Sequence, residues 1–320
     1  MNKFAKDRFK NFKSKQEVLD ILPDVSGNDV NGLGQTKFSH PKPVMWHDPQ
    51  RISHGELQKW FSTQGNSHGH IRNFGQAGNG PIELPEVSAN RPDWTAEEWT
   101  QQVKDAALSR DADLVGVTRL NQNWVFEGFE ADYEYMVVLA VEMDFEELST
   151  APSDQSQNEV KKQYDRCTRT AYKLATWMHE HGWEGKPHGG PQAGPVVMIP
   201  AAIEAGLGEL GKHGSMINRQ YGSSFRLANV LTNMPLVPDQ PDMFGANDFC
   251  MNCQLCTSIC PVDAIYPEKQ MVRGEEKWYV DFDKCILFFV EHNGCAMCLP
   301  VCPWSRPGVA PKLAEKMSRR

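Results

Sequence analysis

Apolar residues are spread unevenly along this 320-residue chain. Over residues 1–92 they show neither the 3.6-residue recurrence of a helix nor the alternation of a strand. Gly, Asn, His and Pro are frequent there, as in 64–70 and 78–81, which predicts a loop-rich arm wrapping the body. Order begins at Thr95, where threonine followed three residues later by Glu98 matches a capping box and predicts a helix to about Arg110. Strands are expected at 114–118 and 135–141. The second is an unbroken apolar run, Tyr-Met-Val-Val-Leu-Ala-Val, as expected of a strand covered on both faces. The longest helix is predicted over 159–181, stopped by Gly182. A short apolar segment at 195–199, a helix at 200–205, a glycine-rich turn and a strand at 225–231 follow, before a Pro- and Asp-rich linker at 235–242.

Beyond that linker the chemistry concentrates. Eight of the nine cysteines form two runs, Cys250-x2-Cys253-x2-Cys256-x3-Cys260-Pro261 and Cys285-x9-Cys295-x2-Cys298-x3-Cys302-Pro303. A tight C-x2-C-x2-C loop supplies three thiolates to an iron-sulfur cube, and the cysteine before proline serves the neighbouring cube. The expected sets for two [4Fe-4S] clusters are Cys250, Cys253, Cys256 with Cys302, and Cys285, Cys295, Cys298 with Cys260. Cys285 departs from the bacterial ferredoxin spacing, standing ten positions ahead of Cys295 rather than three. Zinc is the rival metal, with paired C-x2-C knuckles and four ligands per site. Disulfides fit poorly, because no export signal is read at the start.

The formal net charge of -8 and the lack of a long basic run argue against a nucleic-acid groove. No apolar stretch approaches the roughly 20 residues that span a bilayer, so a cytoplasmic location without membrane contact is expected. The organisation predicted is a 1–92 arm, a 93–245 α/β domain, a 246–310 two-cluster domain and a 311–320 tail. His68 and His70 fit a solvated turn better than a metal site, and the pair Trp46-His47 fits either a pocket or the core.

Gly206-Leu207-Gly208-Glu209-Leu210-Gly211 satisfies the dinucleotide pattern G-x-G-x-x-G. A helix rather than a strand is expected before it, and the acidic residue due about 20 positions on is missing, so that reading fails. The glycines still allow backbone to approach a large flat ligand.

Ala205-Gly206-Leu207-Gly208-Glu209, then Tyr221-Gly222 with Arg226, then Thr232-Asn233-Met234-Pro235-Leu236 and the two cysteine runs together resemble the corrinoid-dependent reductive dehalogenases, and more distantly the epoxyqueuosine reductases. The resemblance covers roughly 95–305. It implies an α/β (α+β) chain in which a nitroreductase-like domain holding base-off cobalamin precedes a ferredoxin-like domain with two [4Fe-4S] clusters. The twin-arginine signal of respiratory members and the fused flavin reductase domain of catabolic members are both missing, which implies a separate electron donor such as a ferredoxin or flavodoxin. No D-x-H-x-x-G run offers a histidine to the lower face of the corrinoid.

The family's proton donor, a tyrosine, falls on Tyr164, with Tyr172 as its substitute two turns on. A phenol with an ordinary pKa near 10 needs a neighbouring cation to leave a stable anion. Arg226 is the first candidate and Lys186 the second. By the same resemblance Met198, Gly206, Leu207, Gly208, Gly211, Ser215 and Met216 would flank the corrinoid. Trp183 and His188 fall where the family faces its substrate, although tryptophans such as Trp177 and Trp183 are more often core and a loop histidine is usually solvated. Cys167, at i+3 from Tyr164, fits a pocket wall or an inert buried thiol. The function implied is removal of halide from an organohalide. The alternatives are an epoxyqueuosine-type reductase acting on transfer RNA, whose Tyr-Ala-Arg-Gly run and helical repeats are missing here, and an iron-sulfur electron-transfer protein without corrinoid.

Overall fold

The computed structural model describes residues 6–63, 82–191 and 194–319. His68, His70 and the stretches 64–70 and 78–81 lie outside the described residues. Along the arm, α1 (Gln16–Leu19), α2 (Gly27–Val30) and α3 (Gly55–Thr63) punctuate the loops. The body is built from α4 (Ala96–Ser109), β1 (Leu114–Arg119), β2 (Tyr135–Glu142), α5 (Phe145–Leu148), α6 (Asp154–Glu180), β3 (Gly185–His188), α7 (Met198–Glu204), β4 (Glu209–Leu210), β5 (Met216–Ile217) and β6 (Phe225–Thr232).

β1, β2, β6 and β3 pair in that order as an antiparallel sheet. The unbroken apolar run of β2 follows from its central place. Val137, Leu139 and Val141 pack with Trp99, Cys167 and Leu174 beneath α4 and α6. The alternate residues Met136, Val138 and Ala140 pack with Ala201, Ala202 and Met216 on the other face. Successive side chains of a strand point to opposite faces, so a strand buried on both sides has no polar position to spare. Gly116 lets α7 close onto β1, since a Cβ there would stand 2.2 Å from the Ala205 carbonyl oxygen.

The capping box at Thr95 is made in full: Thr95 Oγ1 accepts from the Glu98 N–H and Glu98 Oε2 accepts from the Thr95 N–H. α6 begins at Asp154 rather than near 159, because Ser153 caps it through Ser156 while its first turn carries no apolar residue to mark it. α7 likewise starts two residues early, at Met198. β3 escaped prediction because four residues including Pro187 carry no period, yet they complete the sheet edge beside β6.

The cysteine-rich module comprises α8 (Ala246–Asn252), α9 (Leu255–Ile259), a hairpin of β7 (Gln270–Val272) and β8 (Glu275–Lys277), α10 (Phe282–Glu291) and α11 (Ala310–Met317). The arm is strapped to it, with Val18, Met45, Leu57 and Phe61 packed against Ile286 and Val290 of α10. α11 lies where a tail was expected and buries Ala310 and Ala314 beside Trp304. Tyr221-Gly222 forms the tight contact between body and module. Gly222 has φ +57°, and a Cβ on it would meet the Trp304 carbonyl oxygen at 2.2 Å.

Glu209 fastens the same junction. Its buried carboxylate accepts from the Phe244 and Ala246 N–H groups at 2.8 and 2.9 Å and from the Asn247 N–H at 3.1 Å. Truncating it would orphan three donors at the start of α8, and hydrogen bonds to charged groups contribute about 1.5–3 kcal/mol each. Glu209→Ala is therefore expected to lower stability by on the order of 3 kcal/mol, read as a lower urea midpoint. An unchanged midpoint would show the junction to be held by apolar packing alone.

Candidate active site and cluster sites

A cavity of about 530 Å³ lies between the body and the cysteine-rich module, within the range usual for small-molecule sites. Ser156, Gln157, Val160, Lys161 and Tyr164 of α6 form one wall. Their spacing is that of a single helix face. Arg226 of β6 and the turn His213-Gly214-Ser215 extend that wall, Trp46 and Phe61 of the arm close one side, and Cys260, Cys285, Cys295 and Cys298 stand on the other.

Tyr164 and Arg226 are brought together here. The guanidinium carbon lies 4.9 Å from the centre of the tyrosine ring. Arg226 reaches it from the β6 position paired with Val141, and its buried Nε has no hydrogen-bond partner among the described residues. The Cys167 thiol donates to the Arg226 carbonyl at 3.5 Å. That thiol sits wholly within the core, where burial pushes its pKa far up, so it supports the wall and does not enter the cavity.

Lys186 lies elsewhere. It is exposed on β3 opposite Leu231 and does not line the cavity. Tyr172 and His188 are absent from the lining too. Burial, and then Lys186, push the His188 pKa down to about 4. Trp177 and Trp183 belong to the core beneath α4, with Arg91 3.5 Å above the Trp183 ring. Of the pair Trp46-His47, Trp46 lines the cavity while His47 packs on Phe126 and Phe129.

Lys161 and His213 are among the cavity residues missed from the sequence. Lys161 stands one turn before Tyr164, and burial lowers its pKa to about 8. Counting back three from Tyr164 would have found it. His213 was hidden by the glycine run around it. Its Nδ1 accepts from the Ser215 N–H at 3.2 Å, its Nε2 pairs with Ser223 Oγ at 2.9 Å, and burial lowers its pKa to about 4.

Of the residues expected to flank a corrinoid, only Ser215 lines the cavity. Leu207 and Met216 are buried in the core beneath α7, and Met198 packs at its edge. The glycines serve close packing. Gly206 at φ +75° sits against the Gln240 carbonyl, Gly208 at φ +147° against the Ile217 carbonyl, and Gly211 against the His213 ring. The motif thus shapes the β4–β5 turn that presents His213 and Ser215.

The eight cysteines gather as two groups of four. Cys302 lies among Cys250, Cys253 and Cys256, and its thiol is pushed up first by burial and then by those neighbours. Cys285 stands with Cys260 and Cys295, and Cys298 with all three. The nine-residue gap is bridged by α10, whose first turn carries Cys285 back to the cavity. Burial raises Cys285 and Cys295 to about 12 and Cys298 well above the ordinary range. Such thiols ionise only when a metal site displaces their protons. Asn293, Gly294, Cys295 and Ala296 all have positive φ and wrap the cavity. A left-handed residue other than glycine costs about 1–2 kcal/mol, a strain held where a bound group offsets it. Among the described residues no three His, Cys, Asp or Glu side chains converge on a single metal ion. The cysteines surround voids instead.

Comparison with known proteins agrees with these features. Residues 249–305 match the 4Fe-4S dicluster domain family. The chain is 32% identical over 289 residues to a tetrachloroethene reductive dehalogenase of Desulfitobacterium hafniense, covering 70% of this chain and 52% of that protein. To the tetrachloroethene reductive dehalogenase of Sulfurospirillum multivorans it is 30% identical over 280 residues, covering 72% and 55%. An epoxyqueuosine reductase of Synechocystis sp. is 25% identical over 225 residues, covering 58% and 73%. The chain thus spans about half the length of the curated dehalogenases it matches. The fold superimposes on a catabolic reductive dehalogenase in complex with 3-bromo-4-hydroxybenzoic acid with a TM-score of 0.75, at 22% identity, over 98% of this chain and 49% of that one. Among the described residues no helix is long and apolar enough to cross a membrane. A mixed α/β body with a C-terminal 4Fe-4S dicluster domain, carrying this likeness in both sequence and fold, makes the chain a relative of the reductive dehalogenases, with the epoxyqueuosine reductases further off.

Proposed function

We propose that the chain is a corrinoid-dependent reductive dehalogenase that replaces the halogen of a small organohalide with hydrogen. The observation that carries this reading is the Tyr164–Arg226 pair in the lining of a cavity that a group of four cysteines also lines. In this reading the two cysteine groups hold [4Fe-4S] clusters, residues 93–245 form the cofactor-binding domain and 1–92 the covering arm. A ferredoxin or flavodoxin in the cytoplasm is the electron donor, without nucleic acid or membrane as a partner. Bound in the cavity, a base-off cobalamin would supply low-valent cobalt able to cleave a carbon–halogen bond, with electrons fed singly through the clusters. His213 would line the cofactor's site without a ring nitrogen to offer it, because both nitrogens are engaged with Ser215 and Ser223.

The chain's own residues manage the proton and the charge. Replacement of halogen by hydrogen consumes two electrons and one proton and releases halide. The Tyr164 hydroxyl gives the proton to the carbon that loses the halide, and the Arg226 guanidinium stabilises the phenolate left behind. A half-buried guanidinium with its Nε out of solvent acts more strongly than the same group in water. Trp46, Phe61, Phe288 and Phe289 line the cavity with apolar surface and exclude water. Lys161 adds a second positive charge one turn along α6, and with a pKa near 8 it carries that charge at neutral pH.

Protein reconstituted with iron, sulfide and hydroxocobalamin is expected to release halide from a halogenated phenol under a strong one-electron reductant. No halide with both metals in place would contradict the assignment. Activity should fall as pH rises through about 8, where Lys161 loses its proton. Lys161→Met should be slower at pH 7 and lack that alkaline limb. An unchanged profile in the variant would remove Lys161 from the mechanism.

A further inference from the structure

Lys212 follows the glycine-rich turn and is almost wholly buried, at 1% exposure. Among the described residues its Nζ has no hydrogen-bond partner. Its one described electrostatic contact outside the cysteines is the ring of Trp278, 4.8 Å below. A cation–π contact offsets only part of what it costs to take an ammonium out of water, and long charged side chains are almost never fully buried unless paired. Lys212 also lines the small cavity formed by Cys250, Cys253, Cys256 and Cys302, together with Phe249, Leu255 and Pro303. Its backbone N–H donates to Cys250, and its ammonium acts on both Cys250 and Cys256. No carboxylate is in the lining of that cavity, and the Glu209 carboxylate, which also acts on Cys250, is taken up by the Phe244, Ala246 and Asn247 N–H groups. A buried ammonium that acts on two of the four thiols asks for a buried anion. A thiolate-ligated cluster is one.

We infer that Lys212 is the counter-charge of the cluster held by Cys250, Cys253, Cys256 and Cys302, and that it raises the reduction potential of that cluster above that of its neighbour. Reduction takes one electron from the external donor and adds one negative charge to the cluster, with no bond made or broken. A fixed ammonium beside it stabilises the reduced form more than the oxidised form. In the large cavity lined by the other group, Cys260, Cys285, Cys295 and Cys298, the lining lysines and arginines are Lys161 and Arg226, and neither is among the charges acting on Cys285, Cys295 or Cys298. The two clusters are thereby set apart in potential by the protein. The inference rests on the iron-sulfur reading of the first cysteine group.

The test is a redox titration followed by electron paramagnetic resonance on the reconstituted full chain, comparing wild type with Lys212→Met, Lys212→Gln and Lys212→Arg. Iron content measured first separates the two questions, because a wild-type chain without about eight irons would refute the cluster reading itself. With clusters present, one midpoint potential should fall in the Met and Gln variants. A shift of about tenfold in the reduced-to-oxidised ratio corresponds to about 59 mV for one electron. The second midpoint should stay, and Lys212→Arg should behave as wild type. Loss of about half the iron in both neutral variants, with full iron in Lys212→Arg, would equally show that the cluster requires the charge. Unchanged potentials in the neutral variants, or loss of iron in all three, would overturn the inference and leave Lys212 a packing residue.

Discussion

Tyr164→Phe is expected to lower dehalogenation by about 10²–10⁴-fold, the usual contribution of a positioned proton donor, while iron and cobalt contents stay at wild-type values. The substitution removes one oxygen and nothing else. The ring remains for the Arg226 guanidinium to cover, and α6 keeps a residue of the same size on its cavity face. A folding or cofactor defect is therefore separated from a chemical one. Measured as halide released per chain at saturating substrate, activity within threefold of wild type would take the proton from elsewhere. Lys161 would then be the next candidate, as a dissociable group one turn from Tyr164 on the same helix face.

The cross-donation of cysteines gives the second large effect. Cys302 belongs to the second run but stands with Cys250, Cys253 and Cys256, while Cys260 of the first run stands with Cys285 and Cys298. Two substitutions in one group should therefore remove one cluster, and one substitution in each group should remove both. Cys250→Ser with Cys302→Ser is expected to retain about four irons, and Cys250→Ser with Cys260→Ser almost none. Iron and acid-labile sulfide per chain decide it. The reverse pattern would mean that each run serves its own cluster and that the proline-linked cysteines do not cross.

Much of this arrangement was legible in the residues before any coordinates. The cysteine-proline endings mark a pair of interlocked sites because such a loop can supply three ligands to one cube but its fourth points away. The sheet's centre was legible as well, since a strand buried on both faces must be apolar throughout, as residues 135–141 are. The bridging of the long gap before Cys295 was not. It depends on α10 turning Cys285 inward, a tertiary fact that spacing does not carry.

The glycine turn was legible as a constraint and misleading as to its purpose. Gly206, Gly208 and Gly211 are needed because neighbouring carbonyls and a histidine ring approach too closely for a side chain, and the residues that reach the cavity are those just beyond. Neither Arg226 nor Lys186 could be placed beside Tyr164 from sequence alone, because strand pairing decides which of them reaches α6. Pairing places Arg226 opposite Val141 over α6 and leaves Lys186 exposed on β3. Trp46 and Phe61 reach the cavity from an arm without periodicity, held there by contacts with α10 some 230 positions away in sequence, roughly the separation of Phe61 and Val290. Lys212 was invisible for a different reason. A lysine in a glycine-rich loop is ordinarily solvated, and only its burial reveals that it faces the cysteines.

The most direct measurement of the central claim is metal analysis with electron paramagnetic resonance on anaerobically purified protein, reconstituted with iron, sulfide and hydroxocobalamin. The account predicts about eight irons and one cobalt per chain, with the cobalt(II) signal of a base-off corrinoid. About eight irons with no retained cobalt would contradict it and leave an iron-sulfur electron-transfer protein in place of a dehalogenase.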